Sequence, residues 1–591
     1  MLHLIHVPLG SLDSGRSNGV GAGGGGRARQ GVPLRGRCGG ASGDAPLASG
    51  FLSGPRTRSD PARARALDRR GVCLVRTALE ADSMKLSQLV EAIGGVLRSG
   101  GADPEVTAAQ LDSRQVCSGH IFAALSDSQV ERQRFVQDAR RNGAVAVLTD
   151  CSLDAKHAPV QWIHPQPTVA LGKACHLLAD NPARGMTVIG ITGTNGKTTT
   201  AHIVAHILRQ NGMRPGVLGT AGHRLANDTW LPASHTTPTA PVLVDLAARH
   251  RDLGGDCLIL ELSSHALVQE RHAGLTFDAA VFTNLTREHL DYHGDMGAYQ
   301  AAKGRLFAAL KPGARAIGNL DDHAWPGFAA LARERGAVVL TTSTRQRADL
   351  CAYALQATSQ GITFFFQGMG ISEQKTCFPL FGRFNVENAL AALGCALVAG
   401  VKLDHALASL ASCTPAPGRM EVLGVGGDPF HGGASSHARV VVDYAHTPDA
   451  LSQALEALRA SQPAGGRLIC VFGCGGERDQ GKRPLMGRVA SQQADHLIVT
   501  NDNPRSEDPD AIAKGICAGI DHSACSVEID LDRERAIRAA LAPEILSDAR
   551  NTVLVAGKGH ETKQVDAEGV HDFDDRALIR ELLQEAMSCR T

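Results

Sequence analysis

Residues 187–200 read Thr187-Val-Ile-Gly190-Ile-Thr192-Gly193-Thr194-Asn195-Gly196-Lys197-Thr198-Thr199-Thr200. The first six are mostly apolar or β-branched, which predicts a buried strand. A glycine-rich turn follows, and a helix is expected from Thr199 to Leu208. Strand, turn and helix in that order suit a phosphate: backbone N–H groups wrap its oxygens and the helix N-terminus adds partial positive charge. Lys197 would neutralise the β- and γ-phosphates, and the Thr198 hydroxyl would ligate Mg²⁺. The strict GxxxxGK(S/T) spacing is not met, because Ile191 stands where the first glycine belongs. On these residues alone a kinase, a GTPase and a ligase all stay open.

Outward from this unit the order is mixed α/β. Strands are expected at Cys257–Glu261, Ala279–Thr283 and Arg315–Asn319, then at 439–443, 467–472, 496–500 and 552–556, alternating with helical patterns. That alternation predicts parallel sheets covered by helices. Pro415-Ala-Pro-Gly418 reads as a linker and 424–437 as a surface loop. Thr447 is a fitting N-cap, with Pro448 at the first helical position and Leu451, Leu455 and Leu458 along one face.

The chain has 591 residues, which at roughly 100–200 per domain suggests three to five domains. Lys+Arg and Asp+Glu are 60 each, so no global basic field argues for nucleic acid. No run nears the ~18 apolar residues of a membrane span. Fifteen scattered cysteines without an apolar secretory segment read as reduced thiols of a cytoplasmic protein. Residues 1–83 differ from the rest: they hold twelve Arg, six acids and no Lys. Three readings compete for them: an over-extended start with Met84 the true first residue, a disordered tail, or a transit peptide.

Several polar groups sit where parallel strands end, the edge on which open α/β sheets carry their sites. Glu261 closes one strand, ahead of Leu-Ser-Ser-His265, and could bind the nucleotide's Mg²⁺ or simply be solvated. His289 and His293 are four apart, but no third zinc ligand is nearby, so ordinary histidines are the default. Lys303 lies beside Leu306, Phe307 and Leu310; spacing alone makes it a snorkelling surface lysine. Three further loops should converge on one edge: 472–483 with Arg478 and Arg483, Asp502-Asn503-Pro504-Arg505, and 556–561 with Gly557 and Glu561. Guanidiniums and a carboxylate around one crevice suit a zwitterionic amino acid.

Together these motifs resemble the Mur ligases of peptidoglycan synthesis, nearest the members that add diaminopimelate. The resemblance spans about residues 84–591. It rests on ITGTNGKTTT (191–200), ELSSHALVQERH (261–272), FTNLTREHLDYHGDM (282–296), FGRFNVENALAAL (381–393), PGRMEVL (417–423), VVDYAHTPDAL (441–451), FGCGGERDQGKRPLM (472–486), DNPR (502–505) and AGKGHE (556–561).

The resemblance implies three α/β domains: a UDP-sugar-binding domain at 84–182, a central P-loop ATPase-type parallel sheet at 183–417, and a Rossmann-like amino-acid domain at 418–591. It implies that Gly193, Thr194, Asn195, Gly196, Lys197, Thr198 and Thr199 bind ATP, with Asn284, Asn385, Asn388, Arg419 and Asp443. Thr198, Glu261, His289 and Lys303 would hold Mg²⁺, Lys303 as a CO2-derived carbamate, which replaces the surface-lysine reading. Lys197, Lys303 and His289 would act in catalysis. Leu111, Ser113 and the loop Ser128-Gln129-Val130 would meet the UDP-sugar; Thr236, Thr237, Ser263, Gln269 and Arg271 the muramoyl dipeptide. Arg478, Asp502, Asn503, Pro504, Arg505, Gly557 and Glu561 would take diaminopimelate, Arg505 meeting the distal carboxylate that lysine lacks. The pattern departs at His235, where Asn is expected, at Ala266, where Gly is usual, and after Ala124, where a DG pair is missing.

The implied activity is ATP-dependent amide formation between UDP-MurNAc-L-Ala-D-Glu and meso-diaminopimelate, in a cytoplasmic monomer. A lysine-adding ligase is the nearest rival, and Arg505 argues against it. Folylpolyglutamate synthase would share the ATP domain but not explain the LDSR (111–114) or DNPR (502–505) segments. A non-catalytic nucleotide-binding scaffold would be expected to have lost Lys197, Glu261, His289, Lys303 or Arg505; all five are present.

Overall fold

The strand at 187–192 forms as read and lies inside an eleven-stranded sheet. We call it β1 (Thr187–Thr192). It pairs in parallel with β2 (Cys257–Glu261) on one side and β3 (Phe277–Phe282) on the other, and β3 pairs in parallel with β4 (Leu310–Asn319). Burial on both faces explains the near-continuous apolar runs. Ile189 and Ile191 pack with Ala201, Ile203 and Ile207 of helix α1 (Lys197–Gln210), while Val188 packs on the opposite face with Leu306 and Phe307. Those two residues belong to α2 (Met296–Ala308).

The computed structural model describes residues 83–424 and 437–588, which belong to one compact unit. The expected disordered extension over 1–83 and the surface loop over 424–437 lie, apart from their end residues, outside the described residues.

The C-terminal sheet has six strands in the order Glu421–Leu423, β5 (Arg439–Asp443), β8 (Thr552–Ala556), β6 (Leu468–Phe472), β7 (His496–Val499), Ser526–Ile529. All neighbours are parallel except the first pair. Thr447 caps α3 (Pro448–Ala460), its hydroxyl accepting from the Ala450 N–H, and Leu451, Leu455 and Leu458 are buried. A five-stranded sheet lies near the start of the described chain, its inner strands being Gln161–Ile163, Ala146–Thr149 and His120–Ala123, with Ala108–Gln110 at one edge.

Three features depart from the expectations. Residues 350–378 form three long antiparallel strands that extend the central sheet. Strand β4 starts at Leu310, five residues before the expected start. The 415–418 stretch is no free linker: Gly418 is left-handed (φ 62°), and a Cβ there would lie 2.2 Å from the Gly559 carbonyl carbon and the His560 nitrogen. Backbone packs on backbone at that point, which only glycine permits.

Candidate active site

The phosphate loop is built by asparagine ties. Gly196 is left-handed (φ 86°), and a Cβ on it would sit 2.4 Å from Asn388 Oδ1, so the position needs glycine. Asn388 Oδ1 accepts from the Thr200 hydroxyl at 3.2 Å, and Asn388 Nδ2 donates to Asn385 Oδ1 at 3.2 Å. Asn284 Oδ1 accepts from the Asn195 N–H at 2.9 Å. Thr194 Oγ1 lies 3.2 Å from the Tyr299 hydroxyl. Thr199, the third residue of α1, is buried.

Lys197 Nζ donates to the carbonyls of Gly193 at 2.9 Å and Thr194 at 2.7 Å. Lys303 Nζ also donates to Gly193 O, at 2.8 Å. Lys303 is 1% exposed, so the snorkelling reading is overturned. Its helix carries it under the phosphate loop, with Nζ 4.3 Å from the Tyr299 ring. Burial, then the Lys197 charge, drive its pKa well below the usual lysine value, with Glu288 opposing.

Thr198 Oγ1 donates to Glu261 Oε2 at 2.7 Å, and Glu261 also accepts from the Thr220 N–H at 3.1 Å and its hydroxyl at 3.0 Å. Strand β2 thus ends in a carboxylate that faces the first turn of α1. His289 is left-handed (φ 56°) and precedes the short helix Leu290–His293, so His289 and His293 do not share a helical face. His289 Nε2 lies 3.7 Å from Glu288 Oε2, and its ring centroid is 4.8 Å from that of His265. His293 Nε2 lies 2.9 Å from Ser264 Oγ.

The C-terminal segment closes over this loop. Arg419 Nη2 donates to Thr198 Oγ1 at 3.5 Å and its guanidinium lies 4.4 Å from the Tyr444 ring centroid. Asp443, at the end of β5, accepts from the N–H groups of Met420 at 2.7 Å and Ala445 at 2.8 Å; burial raises its pKa, with Arg419 opposing. Asn195 Nδ2 donates to Asp449 at 3.2 Å. A cleft between the two sheets is lined by Asn195, Asn388, Arg419, Asp443, His446 and Gln453.

Beside Glu261, Thr237 Oγ1 donates to the Glu261 carbonyl at 2.7 Å and accepts from the Ser263 N–H at 3.1 Å. Arg271 donates to Thr237 O at 2.7 Å and Gln269 Oε1 at 2.9 Å, while Thr236 Oγ1 accepts from Thr220 at 3.0 Å. Those five residues therefore meet in one network.

The three loops of the C-terminal sheet also meet. Arg505 Nη1 donates to Gly476 O at 2.8 Å, and Asn503 Nδ2 to Glu561 Oε2 at 2.8 Å. Asp502, Asn503, Pro504 and Gly557 are buried. Arg478 stays exposed. Arg483, expected in the crevice, forms a two-pronged pair with Glu507 at 2.7 and 2.8 Å instead.

Residues 191–396 match the Mur ligase middle domain, and 418–559 match the Mur ligase, glutamate ligase domain. A UDP-N-acetylmuramoyl-L-alanyl-D-glutamate–2,6-diaminopimelate ligase of Geobacillus kaustophilus is 38% identical over 519 residues, covering 85% of this chain and all of that protein. The chain belongs to the Mur ligase family. The solved structure of a ligase of the same description superposes on this Mur ligase with a TM-score of 0.59 at 35% identity, covering 82% of this chain and 96% of that one. An ADP complex of Mycobacterium tuberculosis folylpolyglutamate synthase shares the fold only, at 20% identity, a TM-score of 0.53 and 67% of this chain against 92% of that one.

In this Mur ligase, Leu111 and Ser113 follow the strand Ala108–Gln110, and Ser128–Val130 follow His120–Ala123, its parallel neighbour. Both segments leave the same sheet edge. Ser128 to Val130 are not a loop, however. Ser128 caps the helix Gln129–Arg141, its hydroxyl accepting from Glu131 at 3.4 Å, and Gln129 and Val130 form the first turn. Ala266 sits inside the helix Ser264–Val268, where nothing requires glycine, and His235 is exposed.

Sequence reasoning missed Glu288, which the Mur ligase buries to 16% exposure between His289 and His446. Burial alone would raise its pKa; His446, 3.7 Å away, and the charges of His289 and Lys197 outweigh that and hold it low. Thr220 and Asp449 were missed too. Each becomes visible only when strand ends distant in sequence are brought together.

Proposed function

We propose that this Mur ligase adds meso-2,6-diaminopimelate to the D-Glu γ-carboxylate of UDP-MurNAc-L-Ala-D-Glu, with cleavage of ATP to ADP and phosphate. One observation carries the reading: the phosphate loop and the three-loop crevice are joined through Arg419, which reaches Thr198 from one side and stacks on Tyr444, whose hydroxyl donates to Glu561 at 3.4 Å. A phosphoryl donor site and an amino-acid site within one such chain of contacts fit a ligase better than a lone ATPase. The full-length match to diaminopimelate ligases supports the substrates.

We assign 84–182 to the UDP-sugar, 183–417 to ATP and 418–591 to the amino acid. A γ-carboxylate oxygen of D-Glu attacks the γ-phosphorus of ATP, the bond to the β-phosphate oxygen breaks, and an acyl phosphate and ADP form. The neutral diaminopimelate amine then attacks the acyl carbon, the bond from that carbon to the phosphate oxygen breaks, phosphate leaves with the bonding pair, and the nitrogen gives up its extra proton to the departing phosphate or to water. Lys197 and the loop N–H groups stabilise charge on the transferring group. Thr236, Thr237 and Arg271 orient the dipeptide. Arg505 faces the distal carboxylate and Glu561 the ammonium end.

The Thr198 hydroxyl and the Glu261 carboxylate are hard oxygen donors 2.7 Å apart, a pair that fits Mg²⁺. His289 and a carbamate on Lys303 complete the set we assign to divalent cations. When bound, Mg²⁺ supplies positive charge against the phosphates. The depressed pKa of Lys303 favours the neutral amine that CO2 adds to.

The test is phosphate release from ATP with each substrate omitted in turn. Release that needs both the UDP-dipeptide and diaminopimelate supports the reading; release indifferent to either contradicts it.

A further inference from the structure

The buried pair Arg533–Asp575 lies beneath the amino-acid crevice and belongs to none of the motifs above. Both side chains are 0% exposed. Arg533 Nε and Nη2 grip the two Asp575 oxygens at 2.8 and 2.7 Å. The same guanidinium donates through Nη1 to the carbonyl of Asn501 at 3.0 Å and through Nη2 to that of Ala556 at 3.0 Å.

Those two carbonyls stand at particular places. Asn501 directly precedes Asp502, and Ala556 directly precedes Gly557. They root the two loops that carry Asp502–Arg505 and Gly557–Glu561. Their strands, β7 and β8, are not neighbours: β6 lies between them. The guanidinium therefore spans the strand whose own loop carries Arg478. On the crevice side the two loops are tied again, by Asn503 Nδ2 to Glu561 and by the fully buried Lys558, whose Nζ lies 3.5 Å from Asn503 Oδ1 and 3.6 Å from Glu561 Oε2.

Local chemistry opposes this arginine. It is the first residue of the helix α4 (Arg533–Ala540), where the helix dipole disfavours a cation. Asp575 begins α5 (Asp575–Ser588), where a carboxylate is favoured. Burying an ion pair of this kind often gives no net stability over apolar side chains. A residue kept against both costs, with its spare donors on two loop roots, is explained by what it holds in place.

We propose that Arg533, oriented by Asp575, is a positioning residue for amino-acid recognition: it sets the spacing of the two loops that bind the incoming amino acid. The inference rests on the assignment of those loops to diaminopimelate. A guanidinium fork can meet a carboxylate and two carbonyls together; an ammonium cannot in the same geometry.

The test uses the full chain, the single variant Arg533→Lys and the double variant Arg533→Met with Asp575→Leu, which leaves no unpaired buried charge. KM for each of the three substrates, kcat and Tm are measured. We expect both variants to fold and to raise KM for diaminopimelate by about tenfold or more, while KM for ATP and for the UDP-dipeptide stay within about twofold. An unchanged diaminopimelate KM in a folded variant overturns the proposal. So does a fall in kcat with a parallel rise in all three KM values and a lowered Tm, the mark of a merely structural pair. A wild-type chain that neither turns over nor binds diaminopimelate overturns the loop assignment, and the positioning role with it, before any variant is compared.

Discussion

Lys197 and Lys303 donate to one acceptor, the carbonyl of Gly193, at 2.9 and 2.8 Å. Burial, reinforced by the Lys197 charge, pushes the Lys303 amine toward its neutral form. Neutral amines add CO2 and ammonium ions do not. We expect turnover to fall about tenfold or more in CO2-free buffer and to recover with bicarbonate. Labelled bicarbonate should give a carbamate carbon signal that Lys303→Arg abolishes. Full activity without CO2 and no such signal would remove the carbamate from the account.

Glu261 takes three donors, two from Thr220 and one from Thr198. Glu261→Gln keeps the shape but removes the negative charge and leaves one neutral oxygen, beside an NH2 donor, to face a cation. Turnover should drop by about 10²–10³-fold, with a higher Mg²⁺ concentration needed for half-maximal rate. A Mg²⁺ titration of both proteins checks this; superimposable curves would count against Glu261 as a ligand.

Glu288 reaches His446 at 3.7 Å across the two larger sheets. Glu288→Gln removes the charge that His289, His446 and Lys197 share. KM for ATP should rise about three- to tenfold, since the cleft lies along this contact. An unchanged ATP KM would mean the contact does not help shape the nucleotide site.

Glu507 supplies a pH signature. Its pair with Arg483, with the Glu477 N–H assisting, lowers its pKa from 4.5 to about 2. A depressed carboxylate pKa stabilises the fold fully above the unfolded value and loses that contribution as pH falls through the folded one. Glu507→Gln should therefore cost about 1 kcal/mol or less at neutral pH once solvent screening is allowed for, with the gap to wild type closing between pH 4.5 and about 2. Denaturant unfolding at several pH values reads this directly. A gap independent of pH would contradict it.

Local chemistry was legible and tertiary placement was not. The unit from β1 to α1 was readable because strand, turn and helix are contiguous, and the Thr447–Pro448 start of α3 because a cap is a local event. Lys303 was misread from spacing because its acceptor, Gly193 O, lies 110 residues away in sequence. Arg483 looked free for the crevice because nothing nearby in sequence shows Glu507 as its partner. The strands at 350–378 were not legible from an alternating strand–helix pattern because they pair antiparallel with one another through short turns, with no helix between them. Ser128 reads equally as loop or N-cap until the helix behind it is seen.

The central claim is the identity of the added amino acid, and one measurement meets it: product mass from UDP-MurNAc-L-Ala-D-Glu, ATP and Mg²⁺ with meso-diaminopimelate or L-lysine offered in parallel. The account predicts the diaminopimelate adduct with phosphate release, and neither with lysine. A lysine adduct would keep the ligase and contradict the role given to Arg505; no adduct with either, from protein that binds ATP, would contradict the account as a whole.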